Sequence, residues 1–143
     1  MTASAEAPAL PPLPPVGRTA EVTREVTDAD IRHFAEATGD FNPLHFDDAH
    51  AGRTRFGGRV AHGMLSAGLI SSAIANVLPG PGSAYKSQTL AFKLPVRPGD
   101  RVTVRLEVLE LHEPKRRVRL STVCTNQRGE VVLDGEAWVK VLG

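Results

Sequence analysis

The stretch Gly63 to Leu78, GMLSAGLISSAIANVL, constrains this chain more than any other. At helical period it is apolar nearly all the way round, and a helix of that kind has to be covered on most sides. Small residues (Ser66, Ala67, Gly68, Ser71, Ser72, Ala73 and Ala75) are interspersed with the larger aliphatics. The helix is too short and too well supplied with serine to span a bilayer. Its cover must come from the rest of the chain, and a PGPG turn at 79 to 82 leads directly into that part.

Segments with strand character follow at 83 to 95, 101 to 111, 117 to 127 and 131 to 142. The turns VRPGD at 96 to 100 and NQRGE at 126 to 130 are short and contain glycine, and the HEPK link at 112 to 115 is also brief. Such connections favour antiparallel pairing. Ahead of the long helix, TAEVTREV from Thr19 puts Val22 and Val26 on one face of a short strand. Thr27 and Asp30 then form a capping pair. Ile31, Phe34, Ala35 and Thr38 recur at helical spacing, and Gly39 is the expected terminator. Residues 40 to 61 carry Pro43, Gly52, Gly57 and Gly58 without any period, and a loop of that length inside a domain is usually functional or disordered. The order predicts an α+β domain with its helices on one face of an antiparallel sheet.

Residues 1 to 17, MTASAEAPALPPLPPVG, lack an apolar period and are expected to be a flexible Ala/Pro-rich tail. Residues 18 to 143 then form a single domain. A chain of 143 residues, 41% hydrophobic and 23% charged, has the balance of one globular unit with a real core. With 17 basic and 16 acidic residues, the net charge of +1 gives no field that would gather nucleic acid or an anionic membrane. Any anionic ligand must be held by local groups. A lone cysteine, Cys124, rules out an intrachain disulfide, and there is no secretory apolar core or run of membrane-spanning length. A cytoplasmic location is therefore expected.

The chemistry concentrates in Thr38-Gly39-Asp40-Phe41-Asn42-Pro43-Leu44-His45-Phe46-Asp47. Here a carboxylate and an imidazole lie just beyond a helix end, on a segment stiffened by Pro43. Adding water to an activated alkene needs one group to take a proton from water and another to deliver one to the α-carbon. Asp40 and His45 can do both near neutral pH, although for an Asp and His at this spacing taken alone a capping or surface-loop role is the better fit. Shortly afterwards Ala61-His62-Gly63-Met64 opens the long helix. A helix start offers unpaired N–H groups and a positive dipole end, and Gly63 lets a ligand approach the backbone. Such a donor suits a thioester carbonyl that becomes enolate-like. Tight packing at Gly63 and a structural hydrogen bond from His62 remain open at this point.

Together, GDFNPLH at 39 to 45 and HGM at 62 to 64 resemble the MaoC-like family of (R)-specific enoyl-CoA hydratases, and LAFKLPVRPGD at 90 to 100 is similar to that family's strand and turn after the helix. The likeness covers residues 19 to 142. It implies a hotdog fold, an antiparallel β-sheet wrapped around a long central α-helix, assembled as a homodimer. It also implies (R)-specific hydration of trans-2-enoyl-CoA to (R)-3-hydroxyacyl-CoA in fatty acid metabolism, with no cofactor. Asp40 and His45 become catalytic, Gly63 supplies an oxyanion N–H, and Asn42 shapes the substrate site beside His62. A helix serine completes the site, placed at Ser71 with Ser66 and Ser72 as competitors. By helix geometry Ala67, Ser71, Ile74 and Leu78 share a face, so Ile74 is expected to line the acyl tunnel.

The expected partner is an acyl-CoA thioester, with acyl-ACP as the other carrier. A 3-hydroxyacyl-ACP dehydratase and a non-catalytic hotdog acyl-binding subunit are the alternative functions. A hotdog thioesterase fits the DFNPLH motif less well. No metal is expected, because the spacings of Asp40, His45, His50 and His62 match no familiar site. Cys124 reads as a core filler, and His33 and His112 as surface residues. Arg53, Arg55 and Arg59 are better candidates for carrier phosphates than Lys115, Arg116 and Arg117.

Overall fold

The computed structural model describes residues 10–142. In chain order these form β1 (Thr19–Glu25), α1 (Asp28–Thr38), α2 (Pro43–Phe46), α3 (Asp48–Gly52), α4 (Gly63–Asn76), β2 (Ser83–Gln88), β3 (Ala91–Phe92), β4 (Arg101–His112), β5 (Arg117–Thr125) and β6 (Val131–Val141). One six-stranded sheet runs in the order β1-β4-β5-β6-β2, with β3 also paired to β6, and every pairing is antiparallel. The long helix α4 lies on β4, β5 and β2.

The two-residue alternation of β4 and β5 builds the core. Val102, Val104, Leu106 and Val108 face inward from β4, and Val118, Leu120, Thr122 and Cys124 from β5. Register lines these up with β6 in rows, such as Val108 with Leu120 with Ala137, and Val104 with Cys124 with Leu133. Leu65, Ile70, Ala73 and Ile74 of α4 close the core from above. Cys124 is fully buried, and burial pushes its thiol up to about 12, which suits a filler and not a nucleophile. The turns close on buried polar side chains. Asp100 accepts from the Arg97 amide and from Gln127 Nε2, both at 2.9 Å, and Asn126 Oδ1 accepts from the amides of Arg128 and Glu130.

Helix α1 begins and ends as expected. Thr27 Oγ1 accepts from the Asp30 amide at 3.1 Å, the Asp30 carboxylate accepts from the Thr27 amide at 3.0 Å, and Gly39 takes the left-handed conformation at φ 80. Ile31 and Ala35 are buried, while Phe34 and Thr38 turn toward a cavity beside α4.

Other expectations are corrected. The segment 83 to 95 is not one strand. It bulges between Tyr85 and Ser87 and breaks after Gln88, where Thr89 crosses β6 at Gly135. A Cβ at Gly135 would stand 1.8 Å from the Thr89 carbonyl oxygen, so only glycine admits the crossing. Val22 and Val26 do not share a buried face, because Val26 lies past the end of β1 and is buried while Val22 is exposed. The stretch 40 to 61 contains α2 and α3. Helix α4 ends at Asn76 and leaves Met64, Gly68, Ser72 and Ala75 exposed, since one chain covers only one of its sides.

Of the expected tail, residues 1–9 lie outside the described residues. Residues 10–17 are not free of the domain. Pro14 is buried, Leu13 packs on the core, the Gly17 amide donates to Val108 O at 2.8 Å, and the Arg116 guanidinium donates to the Pro11 carbonyl. A proline-rich segment needs no apolar period of its own when it docks on a core already built.

Candidate active site

The site is carried by residues 39–63, which repeat nothing and are fixed residue by residue. Asn42 Oδ1 accepts from the Leu44 amide at 3.0 Å, and Pro43 occupies the first turn of α2, where its missing N–H costs nothing. Asp47 caps α3 through the His50 amide at 2.9 Å, and that hydrogen bond holds the Asp47 carboxyl below the usual carboxylate value. The rest of the loop is stapled from outside. The Arg97 guanidinium donates to the carbonyls of Phe56, Gly58 and Arg59, and the Ala61 amide donates to Val96 O at 2.7 Å. Arg59 donates to His45 O at 2.8 Å and pairs with Asp28 at 2.6 Å.

This framework brings Asp40, His45, His62 and Gly63 together. His45 is 7% exposed, and its Nδ1 lies 2.7 Å from Val60 O. A carbonyl only accepts, so Nδ1 is assigned the proton and Nε2 is left to exchange one. The Asp40 carboxylate accepts from the Asn42 amide at 3.3 Å. His62, 3% exposed, places Nε2 3.0 Å from the Asp40 carbonyl, and its ring lies over that of His45 with centroids 3.8 Å apart and planes 32° apart. Phe34 and Phe46 pack around the two imidazoles. Gly63 is the first residue of α4, where an amide has no partner within the helix. A Cβ there would meet the exposed Phe92 ring at 2.7 Å, so any side chain at this position would have to displace that ring.

Two cavities meet at this cluster. The larger, about 800 Å³, is lined by Phe34, Met64, Ala67, Gly68, Tyr85 and Leu90 among others, with Asp40, His45 and Ser71 also on its wall. The smaller, about 270 Å³, carries Arg55, Ser66, Phe92 and Lys93. His45, His62 and Gly63 line both and so form the partition between them.

Not every expected residue arrives. Asn42 lines neither cavity and acts as the cap of α2. Ile74 is 2% exposed and packs in the core, because strands cover α4 beyond Ser71. Ser71 reaches the larger cavity, Ser66 turns its hydroxyl into a buried position beside the smaller one, and Ser72 accepts from Asn76 on the surface. Arg59 is held by Asp28 and the His45 carbonyl, which leaves Arg55 as the loop arginine on a cavity wall. Lys115 and Arg117 line a separate cleft with His112 and Trp138. Tyr85 and Gln88, joined by a 2.6 Å hydrogen bond, carried no sequence signal because they lie on either side of the β2 bulge, which breaks the alternation that would put residues three apart on opposite faces.

One potential ligand atom each from Asp40, His45 and His62 lies within 4.8 Å of the others. Tetrahedral zinc wants nitrogen ligands about 2.0 to 2.1 Å from the ion and converging on it. Imidazoles stacked at 32° point their lone pairs side by side. The arrangement suits proton transfer better than metal binding.

Known proteins share this fold. The family model described as MaoC like domain matches residues 14–131. The chain is 52% identical over 126 residues to a 3-hydroxybutyryl-CoA dehydratase of Methylorubrum extorquens, covering 88% of this chain and 80% of that protein. It is 45% identical over 125 residues to an (R)-specific enoyl-CoA hydratase of Rhodospirillum rubrum, covering 87% and 86%. An (R)-hydratase structure from A. caviae superimposes with a TM-score of 0.85 at 43% identity, covering 89% of this chain and 96% of that one. With a hotdog fold of this likeness and a matching family model, the chain belongs to the MaoC-like (R)-specific enoyl-CoA hydratases.

Proposed function

We propose that this protein adds water to trans-2-enoyl-CoA to give (R)-3-hydroxyacyl-CoA, and reverses that reaction, using Asp40 and His45 as a coupled acid–base pair. The observation that carries this reading is that Asp40, His45 and Gly63, the first residue of α4, line one mainly apolar cavity. Water stands between Asp40 and His45. One of the pair takes its proton as the oxygen bonds to the β-carbon, the α-carbon receives a proton from the pair, and both groups return to their starting state. The Gly63 N–H, at the positive end of α4, takes the charge that develops on the thioester oxygen. No cofactor enters the reaction.

The acyl chain occupies the larger cavity, along Met64, Ala67, Gly68 and Ser71. The carrier arm leaves through the smaller one, where Arg55 and Lys93 meet phosphate. Among the described residues neither cation has a salt-bridge partner, which leaves both free for an anion. The same reading makes the protein a cytoplasmic homodimer of fatty acid metabolism. The edge position of β2, with Tyr85 and Met64 exposed beside it, supports the dimer.

Hydration of C4 to C12 enoyl-CoAs, with an acyl-ACP substrate in parallel and chiral analysis of the product, tests the proposal. Expected are turnover of the CoA thioesters and predominance of the (R) product. A folded protein giving mainly the (S) alcohol, or no hydration at any length, would overturn it.

A further inference from the structure

We infer that His62 is a positioning residue for the reaction, setting the separation of Asp40 and His45 by its Nε2–H bond to the Asp40 main chain while its ring carries that of His45. The inference rests on the acid–base reading of Asp40 and His45 given above.

Among the described residues, the His62 side chain is the one that both hydrogen-bonds Asp40, at 3.0 Å from its carbonyl, and stacks on His45, with ring centroids 3.8 Å apart. Those two groups reach the site on different supports. Asp40 follows the left-handed Gly39 at the end of α1, whereas His45 sits in α2 and is held from behind by Val60. Locally, the Asn42 amide holds the Asp40 carboxylate and the Asn42 carbonyl takes the His45 amide, which ties the two segments but does not set how the His45 ring stands to Asp40. A group that bonds one and stacks on the other does fix it. In-line proton relay through a single water is sensitive to such spacing, and a displacement of about 1 Å can lower turnover about a hundredfold.

Three observations separate this role from packing or substrate contact. His62 occupies the N-cap position of α4, where Ser, Thr, Asp or Asn would satisfy a helix amide, yet its side chain makes no capping bond. The ring is turned away from its own helix and toward Asp40. Its Nδ1 is buried without a partner among the described residues, so the ring is not held by two ends as a purely structural histidine would be. Phe34 covers its other side at a centroid distance of 4.7 Å, which holds the ring on its bond to Asp40 and leaves little of it for a substrate. The tautomer is assigned by the acceptor: Nε2 carries the proton and Nδ1 keeps its lone pair.

Side-chain ¹⁵N spectra of the wild-type protein, without substrate, read this tautomer directly. Expected is a protonated, exchange-protected Nε2 with an unprotonated Nδ1. The opposite tautomer, or a ring proton exchanging as freely as that of an exposed histidine, would overturn the inference. His62→Phe keeps a ring in the stack and loses the donor, whereas His62→Gln keeps a donor at the same chain position and loses the ring. We expect His62→Phe to lower kcat at least about tenfold with KM within about twofold of wild type, and His62→Gln, which keeps the bond but loses the stack, to recover part of that loss and stay within about tenfold of wild type. A raised KM with kcat retained would make His62 a substrate contact, and a lowered Tm with unchanged kinetics would make it packing alone; either result rejects the inference. Should His62→Phe not fold, His62→Gln still decides, because a loss beyond tenfold in a folded variant that retains the donor rejects it as well. A wild-type enzyme inactive on every enoyl thioester would instead remove the activity reading, and the ¹⁵N result would stand apart from it.

Discussion

Strands β4, β5 and β6 and the segment 39–63 are built on opposite principles. In the strands, placement follows a rule: every second side chain faces the core, and register stacks them in rows across the sheet. In the loop no rule repeats, and each residue is held by its own bond, as Asn42 by capping α2 and His45 by donating to Val60. The strand region depends on summed volume and area, so it responds to substitution through stability. The loop depends on the direction of a few polar contacts, so it responds through chemistry. Stability and turnover should therefore be separable in this protein, by choosing where to cut.

The largest effect is expected in the core. Ile74→Ala removes a buried aliphatic from beneath Ser71 and should cost about 2 to 5 kcal/mol of stability, read from denaturant unfolding. The ratio of kcat/KM for octenoyl-CoA over crotonyl-CoA should stay at the wild-type value, because Ile74 does not line the cavity. A ratio that rises would blur the comparison, by showing that the acyl space extends past Ser71 into the core.

Next come the two loop residues. Asp40→Asn and His45→Gln should each lower kcat by at least about 10²-fold, a barrier change of about 2.7 kcal/mol or more, with Tm close to wild type. Hydratase rates beside thermal melts check both halves, and a folded variant with near wild-type turnover would remove that residue from the acid–base pair.

Gly135→Ala probes the place where the two regions touch, since Thr89 crosses β6 there on its way to the Phe92 that covers Gly63. Backbone must shift to admit the methyl group, so a loss of about 1 to 3 kcal/mol is expected, with kcat per folded molecule retained. A kcat that falls with the stability would mean that the crossing also aims the site.

The smallest effect belongs to α1. Partial burial works to raise the Asp30 carboxyl, but hydrogen bonds from Thr27 and the Arg24 guanidinium outweigh it and hold the group below its usual value. A carboxylate lowered in the folded state stabilises above its unfolded value, and that contribution is lost as pH falls through the folded one. Thr27→Ala should cost about 1 kcal/mol at neutral pH, with a smaller penalty at a pH where Asp30 is protonated. Urea titrations of both proteins at neutral and acid pH measure the difference, and an equal penalty at both would uncouple the cap from Asp30.

Much of this arrangement was legible beforehand. The capping box of α1, the antiparallel order of the late strands and the start of the long helix follow from spacing, because capping and alternation act between near neighbours in the chain. The motif at 39 to 45 and the glycine at 63 marked the candidate site for a different reason: both lie where a helix ends or begins, and helix ends are where backbone groups stay unpaired. Less was legible where a residue's surroundings come from afar. Val22 looked equivalent to Val26 by period, yet only Val26 reaches the covered side beyond the end of β1. Asn42 gave no sign that its oxygen would be spent on capping a four-residue helix.

By itself, then, the sequence determined the α+β layering, the helix boundaries near Thr27 and Gly63, and the residues able to move protons, all set by local spacing and residue chemistry. Only the tertiary structure decided which serine of α4 lines the larger cavity, that Ile74 falls behind the cavity wall, that the proline-rich segment at 10–17 docks, and that His62 bonds Asp40 and stacks on His45. Those outcomes depend on contacts between segments far apart in the chain, formed when Arg97 ties the loop to the turn after β3 and the sheet fixes how deep each face of α4 is covered. Periodicity says which residues of an element share a face, and packing alone says what that face meets.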